Sequence, residues 1–233
     1  MQAVVLAGGL ATRMRPRTLT VPKSMLEVAG RPFIAWLLEA LARDGYRKVL
    51  LCIGHLGETL REHVGDGARF GLEVDWSEDG EKLLGTAGAL RRALDRLEPT
   101  FLVTYGDSYL PFDYSAPLRD LDQHPEASGT MSVFENGGRW DASNTRVSGE
   151  RVVSYEKGAT APDVTFIDYG AIALRRDVIA RLPPGQVLGL DVVQSELARQ
   201  GVLRAYVASE RFYEIGSEAG LAELEQRLSA RSA

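Results

Sequence analysis

The chain opens on a short apolar run, Ala3 to Ala7, that ends at two consecutive glycines and enters a loop carrying Arg13, Arg15 and Lys23 among hydroxyls and prolines. An apolar run bounded by glycine reads as a buried strand, and Gly8-Gly9 commits the chain to a sharp exit from a sheet. The loop beyond it has the composition of a phosphate cradle. Glycine lets backbone N–H groups approach an anion where a Cβ at Gly8 or Gly9 would collide or forbid positive φ. Arginine forks and a lysine point charge neutralise what the amides hold. A merely basic turn is the competing reading, since turns recruit glycine anyway; the three cations and their spacing favour the anion. No GxxxxGK[ST] occurs and no GxGxxG opens a helix after this strand, so the loop belongs neither to a P-loop protein nor to an ordinary dinucleotide binder.

Beyond this loop the hydrophobic period alternates. KVLLCI (Lys48 to Ile53), LEVDWS (Leu72 to Ser77) and TFLVTYG (Thr100 to Gly106) read as buried strands. Pro32 to Arg43, Leu56 to Val64 and Thr86 to Leu97 carry apolar residues at helical spacing, with Pro32 where a first-turn proline is tolerated. Alternation of this kind predicts a mostly parallel sheet flanked by helices. Right-handed crossovers then put the Gly8 and Gly106 loops at one edge, facing one crevice. From Gly129 to Leu174 the runs TMSVFE, NTRVSGERVVSYEK and VTFIDYGAIAL read as strands with a hairpin turn at Ser148, Gly149 and Glu150. A helix over Gly189 to Gln200, strands over Leu203 to Val207 and Phe212 to Ile215, and a helix from Ser217 to Ala230 complete the reading.

A length of 233 residues suits one α/β domain, and no repeat or linker marks a second. Apolar residues at 45% and charged residues at 25% are ordinary globular values, which removes disordered and fibrous classes. A net charge of -5 argues against nucleic acid as a partner, so the basic first loop serves a small anion. The single cysteine, Cys52, lies in an apolar run and is expected to pack as a buried hydrophobe. With no signal peptide and no apolar span of about 18 residues, the expected location is the cytoplasm, away from membrane.

The segment LAGGLATRMRPRTLTVPKSM, Leu6 to Met25, is similar to the signature LAGGxGTRLxPLTxxxPKPM of the sugar-phosphate nucleotidylyltransferases, in the same register. It departs at Ala11, Met14, Arg17 and Ser24, where the family has glycine, leucine, leucine and proline. Ala11 matters most: alanine resists φ > 0, so a reshaped triphosphate contact is expected there. The resemblance implies a Rossmann-like, glycosyltransferase-A-like α/β fold with a β-rich acceptor-binding subregion. In it residues 1–128 form the nucleotide-binding part of a single domain and residues 129–233 the sugar-phosphate part with the closing helices. It also leads to the expectation that the C-terminal hexapeptide-repeat solenoid of some relatives is absent.

Roles follow from the same resemblance. Leu6, Ala7, Gly8, Gly9, Thr12 and Gly106 line the nucleotide, and LGTAGAL brings Gly85, Thr86 and Ala87 against nucleobase and ribose. Alone, that segment would be a helix start capped by Thr86. Asp107, in TYGDSYL, and Glu214, in RFYEIGSEAGL, are the pair of carboxylates for Mg²⁺, which needs only a few hard oxygens. Each has a plainer alternative: Asp107 as a turn residue, and Glu214 as an arm one methylene too long for direct contact. Lys157 holds the phosphate of a sugar 1-phosphate and Glu156 its hydroxyls, although an isolated Glu-Lys pair is usually solvated. The family's NAG becomes Asp168-Tyr169-Gly170, which places Asp168 and Gly170 at the sugar, and the block from Gly138 to Asn144 adds to that pocket.

Glu78 speaks to the base. A carboxylate accepts two hydrogen bonds and guanine offers two adjacent donors, which makes GTP the preferred donor over pyrimidine triphosphates; a solvated loop charge is the other reading. The implied reaction is in-line attack of a sugar 1-phosphate on the α-phosphorus, with Arg13, Lys23, Asp107 and Lys157 as its catalytic set and pyrophosphate as leaving group. The expected partners are a nucleoside triphosphate and a sugar 1-phosphate, as monomer or homodimer, and the sequence looks like guanylyltransferases acting on heptose or mannose 1-phosphates. Alternatives are uridylyl, cytidylyl or thymidylyl transfer to a hexose or non-sugar phosphate, and a non-catalytic sensor. A molybdenum-cofactor guanylyltransferase lacks the TRMRPRT…PK extension, and a glycosyltransferase would carry a DxD that does not follow Asp107.

Overall fold

A computed structural model describes residues 1–80, 82–159 and 161–232. In chain order its elements are β1 (Gln2–Ala7), β2 (Glu27–Val28), β3 (Arg31–Pro32), α1 (Phe33–Arg43), β4 (Lys48–Ile53), α2 (Gly57–Val64), β5 (Glu73–Glu78), α3 (Gly85–Arg92), β6 (Thr100–Tyr105) and β7 (Ser108–Tyr109). There follow α4 (Ala116–Gln123), β8 (Gly129–Glu135), β9 (Thr145–Ser148), β10 (Arg151–Tyr155), β11 (Phe166–Arg175), α5 (Arg176–Ala180), α6 (Leu190–Arg199), β12 (Leu203–Ala208), β13 (Tyr213–Glu214) and α7 (Glu218–Ser232). The chain divides into two compact units, one of Met1–Leu83, Thr104–Leu110 and Phe212–Ala233, the other of Leu84–Val103 and Pro111–Arg211. Among the described residues no helix is long and apolar enough to cross a membrane.

In the first unit β5, β4 and β1 lie parallel, with Ala7 opposite Ile53 and Ile53 opposite Glu78. Three strand ends thus share one row, and the loops after them leave from the same edge. Val4, Val5, Leu50 and Leu51 are fully or almost fully buried, as parallel strands covered on both faces require. Cys52 is buried among them, as expected. α1 presents Ile34, Leu37, Leu38 and Leu41 to the core at helical spacing; each such side chain contributes about 1.5–3 kcal/mol on burial. The helix begins at Phe33, with Pro32 as its N-cap rather than inside its first turn. The two-residue strands β7 and β13 pair antiparallel, setting Glu214 opposite Ser108, and Ile215 N–H donates to the Asp107 carbonyl at 3.1 Å. Just past β13, the Ser217 hydroxyl accepts the Gly220 N–H, the contact of a helix cap, and α7 starts.

The second unit is mixed. β8 pairs antiparallel with β11 and parallel with β12, while β10 is antiparallel to both β12 and β9. Ser148 and Arg151 are directly paired, so Gly149 and Glu150 form the two-residue hairpin turn read from the sequence. The β11–β8 register shifts between Asp168 and Ile172, a bulge of the kind that re-aims side chains beside sites. Phe112 packs edge-on against Tyr114 and Tyr169, with ring centroids 5.1 Å apart in both cases.

Candidate active site

The opening loop is built by close backbone approach. A Cβ on Gly8 would lie 3.1 Å from Gly54 N, and one on Gly54 would lie 2.8 Å from Gly8 O, so the loops after β1 and β4 cross with no room for side chains. A Cβ on Gly9 would meet nothing within 4 Å, which leaves that side open. Ala11 takes φ 47° and ψ 41°, the left-handed conformation that the sequence reading had it resist. Its carbonyl accepts from Thr18 Oγ1 at 2.8 Å and from Met14 N–H at 3.1 Å, and these bonds hold the strained residue in place. The strain of an L-residue there is about 1–2 kcal/mol, and glycine's extra unfolded-state entropy returns roughly 0.4–1 kcal/mol of it. Ala11→Gly is therefore expected to leave the melting temperature unchanged or to raise it by about 2–4 °C in a chain of this size. A clear fall in a thermal melt would contradict the strain.

Thr12 and Arg13 follow in an exposed turn, and the chain returns at Lys23, the first residue of another single turn. Lys23 Nζ stands 2.6 Å from Asp107 Oδ2, although 84 residues separate them. Gly106 is what brings Asp107 to this corner. Its N–H donates to Leu6 O at 2.9 Å, and a Cβ on it would lie 2.9 Å from Ala7 Cβ. The Gly8 and Gly106 loops thus leave adjacent strands side by side. A Cβ on Gly216 would lie 3.0 Å from Lys23 Nζ and 3.6 Å from Glu214 Oε2, so Lys23, Asp107 and Glu214 converge around this glycine. Two carboxylates with an ammonium between the loops suit a hard, partly hydrated cation: Mg²⁺ takes one or two protein carboxylates and completes its shell with water and phosphate oxygens.

Glu78 is the last residue of β5, in the same row as Ala7, and not a loop charge. Arg61 of α2 hydrogen-bonds to its carboxylate and lies over the Trp76 ring with a 5.3 Å separation. Sequence reasoning missed Arg61, because a basic residue on a short amphipathic helix carries no signal that would single it out.

In the second unit, α3 starts at Gly85 with Leu84 as N-cap and no side-chain cap, so Thr86 is not the capping residue. Its hydroxyl instead accepts the Leu190 N–H at 2.6 Å. Ala87 N–H, the third of the LGTAG positions expected at the nucleoside, donates to Leu188 O at 2.9 Å.

The acceptor-side residues gather by hydrogen bonding across β9, β10 and β11. Asn144 Oδ1 accepts the Asp168 N–H at 2.9 Å, and the Asn144 carbonyl accepts the Glu156 N–H at 2.8 Å. Asp168 Oδ1 accepts the Gly170 N–H and Oδ2 accepts from Gln194 Nε2, both at 2.9 Å. Burial pushes the Asp168 carboxyl above its usual range, against the pull of Gly170, Gln194, the Tyr155 hydroxyl and the Lys157 charge. Burial, reinforced by Asp168 and Asp191, likewise pushes the Tyr155 phenol up. Lys157 is exposed, and its ammonium lies 3.4 Å from Asp191 Oδ1.

Asp191 and Gln194 were not singled out from the sequence. A signal existed for Gln194: it occupies the apolar face of α6 one turn after Leu190, where a buried amide needs a partner. The block from Gly138 to Asn144 is organised by another missed residue, Asn136, whose Nδ2 donates to Asp141 O at 2.7 Å; Arg211 covers the Trp140 ring at 4.1 Å.

Residues 2–140 match the family model of the nucleotidyl transferases. Over 139 residues, 58% of this chain and 60% of the relative, the sequence is 37% identical to an N-acetylmuramate alpha-1-phosphate uridylyltransferase of Neisseria meningitidis serogroup B. A D-glycero-alpha-D-manno-heptose 1-phosphate guanylyltransferase of Campylobacter jejuni is 25% identical over 218 residues, covering 93% of this chain and 95% of that protein. The fold is shared with HddC from Yersinia pseudotuberculosis, at a TM-score of 0.80 and 24% identity over 97% of this chain and 99% of that one. The chain spans 60% of the Neisseria protein and about half the length of other curated relatives it matches. The family match takes in the Gly8-Gly9 loop, Lys23 and Asp107, the residues that the fold brings into one corner, and on that ground the chain belongs to the nucleotidyl transferase family.

Proposed function

We propose that the protein transfers the nucleoside monophosphate of GTP to a sugar 1-phosphate, with a mannose or heptose 1-phosphate as acceptor. The observation that carries this reading is the convergence of Lys23, Asp107 and Glu214 around Gly216, beside the Gly8-Gly9 loop. That corner concentrates opposite charges where a triphosphate must be neutralised and aligned. The open side of Gly9, with Leu6, Ala7 and Thr12, receives the phosphates, and Arg13 holds the leaving pyrophosphate. Lys23 neutralises charge that builds on the α-phosphate in the transition state.

Lys157 holds the acceptor's phosphate, while Glu156, Asn144, Asp168 and Gly170 form the sugar side. A phosphate monoester is largely dianionic at neutral pH, since its second pKa is about 6, so its oxygen is already nucleophilic and no general base is needed. Acceleration then comes from alignment and fixed charge. Asp107 and Glu214 would hold Mg²⁺, which supplies positive charge to the phosphate oxygens when bound.

The preference for GTP rests on Glu78. Its carboxylate matches guanine's paired donors, and Arg61 beside it adds a donor for the neighbouring carbonyl. The name of the Campylobacter relative favours guanylyl transfer, and that of the Neisseria relative favours a second reading, uridylyl transfer to an N-acetylated acceptor. Gly85, which is exposed, borders the nucleoside in either case, whereas Ala87 is fully buried with its N–H on Leu188 O and is left out of that role. The test is pyrophosphate release with Mg²⁺, using GTP, UTP, CTP, dTTP and ATP against mannose, heptose, glucose and N-acetylated sugar 1-phosphates. Release with GTP and a mannose or heptose 1-phosphate is expected. Dependence on UTP would replace the base assignment, and no release with any pair would overturn the transferase reading.

A further inference from the structure

The glycines of LGTAG are explained by a packing contact. A Cβ on Gly85 would stand 2.7 Å from Leu188 O, and one on Gly88 would stand 2.6 Å from Gln186 O. The start of α3 therefore lies directly on the segment that leads into α6. Ala87 and Gly88 N–H both donate to Leu188 O, at 2.9 and 3.1 Å, and Leu188 N–H donates back to Leu84 O at 2.8 Å.

The Thr86 side chain completes this junction. Leu190 is the first residue of α6, and its N–H is one of the groups a helix start leaves without an intrahelical partner. The N-cap position is Gly189, which has no side chain to offer. Thr86 Oγ1 takes that N–H at 2.6 Å across a gap of 104 residues in sequence, and so does from α3 what a capping side chain does from within.

The next residue is Asp191, whose Oδ1 faces Lys157 Nζ at 3.4 Å. A Cβ on Gly189 would collide with that same Oδ1. Gly189 has φ -82° and ψ 150°, a conformation open to any residue, so what its bareness provides is room for the Asp191 carboxylate. Two independent features, the Thr86 bond at Leu190 and the missing Cβ at Gly189, thus meet at the turn that carries this oxygen, and that atom faces the lysine.

We infer that Thr86 is a positioning residue for the acceptor: through the Leu190 N–H it sets the first turn of α6, and so the Asp191 carboxylate that holds Lys157 where the acceptor's phosphate binds. The inference rests on the proposed transferase reading, in which Lys157 meets that phosphate. It moves the work of the Thr86 side chain from the nucleoside to the other substrate.

Steady-state kinetics of pyrophosphate release test it, using the substrate pair the wild type prefers. Thr86→Val keeps the shape and removes the acceptor oxygen; loss of one hydrogen bond of ordinary strength is expected to raise the acceptor KM about 3- to 10-fold. The triphosphate KM should stay within about twofold, because uniform binding of that substrate is untouched. Thr86→Ser should restore the acceptor KM. Gly189→Ala should raise it with Thr86 intact, and Thr86→Val added to Asp191→Asn should cost little beyond Asp191→Asn alone, as expected for residues in one chain of contacts.

A rise in the triphosphate KM with an unchanged acceptor KM, or no rescue by serine, would overturn the inference. If Thr86→Val does not fold, Gly189→Ala decides, and an unchanged acceptor KM there overturns it equally. An active wild type with these failures indicts the inference alone. A wild type that releases no pyrophosphate with any pair overturns the transferase reading, and the inference with it.

Discussion

Lys23→Ala is expected to lower kcat by at least about 100-fold, the scale of one lost electrostatic stabiliser at a reacting phosphate, while the melting temperature changes little. Lys23 Nζ is paired with Asp107 Oδ2 at 2.6 Å, but the carboxylate is more than a third exposed, so the pair's contribution to folding is screened by solvent. In the proposed reaction the same ammonium would face a phosphate crowded by negative charge, where its removal is expected to cost about 2.7–4 kcal/mol in the transition state. Asp107→Ala should match it in kcat. Arg cannot fully replace Lys23, because the Gly216 corner is shaped around a compact ammonium, with a Cβ position on that glycine only 3.0 Å from Nζ. Near-normal kcat in Lys23→Ala, measured on protein with a wild-type melt, would remove the lysine from the chemistry.

Asp120→Ala is expected to be the most damaging single change to stability. Arg204, 7% exposed on β12, donates to both Asp120 oxygens at 2.8 and 3.1 Å. Thr130 Oγ1 donates to the same carboxylate at 2.8 Å, and Glu150 accepts from Arg204 at 3.1 Å. Without Asp120 the guanidinium stays buried with only the exposed Glu150 as counter-charge. A stranded charge of this kind costs about 3 kcal/mol, which corresponds to roughly 6–12 °C in a chain of this length.

The pair also sets a pH dependence. Burial raises the Asp120 carboxyl, but hydrogen bonds from Arg204 and Thr130, with the charges of Arg204 and His124, outweigh it and hold the group below its ordinary value. The native state then binds fewer protons than the unfolded chain. The contribution is complete above the unfolded value of about 3.9 and is lost as pH falls below it. Urea titrations at neutral pH and near pH 3 should show a smaller acid loss for Asp120→Asn than for wild type. Equal losses would show that Asp120 is not the titrating group.

Much of this fold was legible because local chemistry and tertiary context agree. Lys48 to Ile53 is apolar after its first residue, is followed by a glycine and is a parallel strand with the same limits, buried from Val49 on. The hairpin between Ser148 and Arg151 follows from its turn residues. Asp107 and Lys23 could be named from their loops, although only the fold brings them together. What stayed hidden depends on pairings that no sequence window contains. Thr86 reads as a cap by its place before a helix, and only the 186–190 segment lying on α3 turns its hydroxyl elsewhere. Asp120 and Arg204 are 84 residues apart and look like surface charges on their own elements. Ala11 shows the limit of propensity: alanine disfavours positive φ, yet bonds from Thr18 and Met14 impose it.

In the proposed reaction the acceptor attacks the α-phosphorus. GTP labelled at that phosphorus, incubated with Mg²⁺ and the preferred sugar 1-phosphate, tests it directly. All of the transferred label is expected in a sugar nucleotide, with one unlabelled pyrophosphate released per product and none in the absence of acceptor. Label recovered as free guanosine monophosphate or diphosphate, or pyrophosphate released without acceptor, would contradict the account.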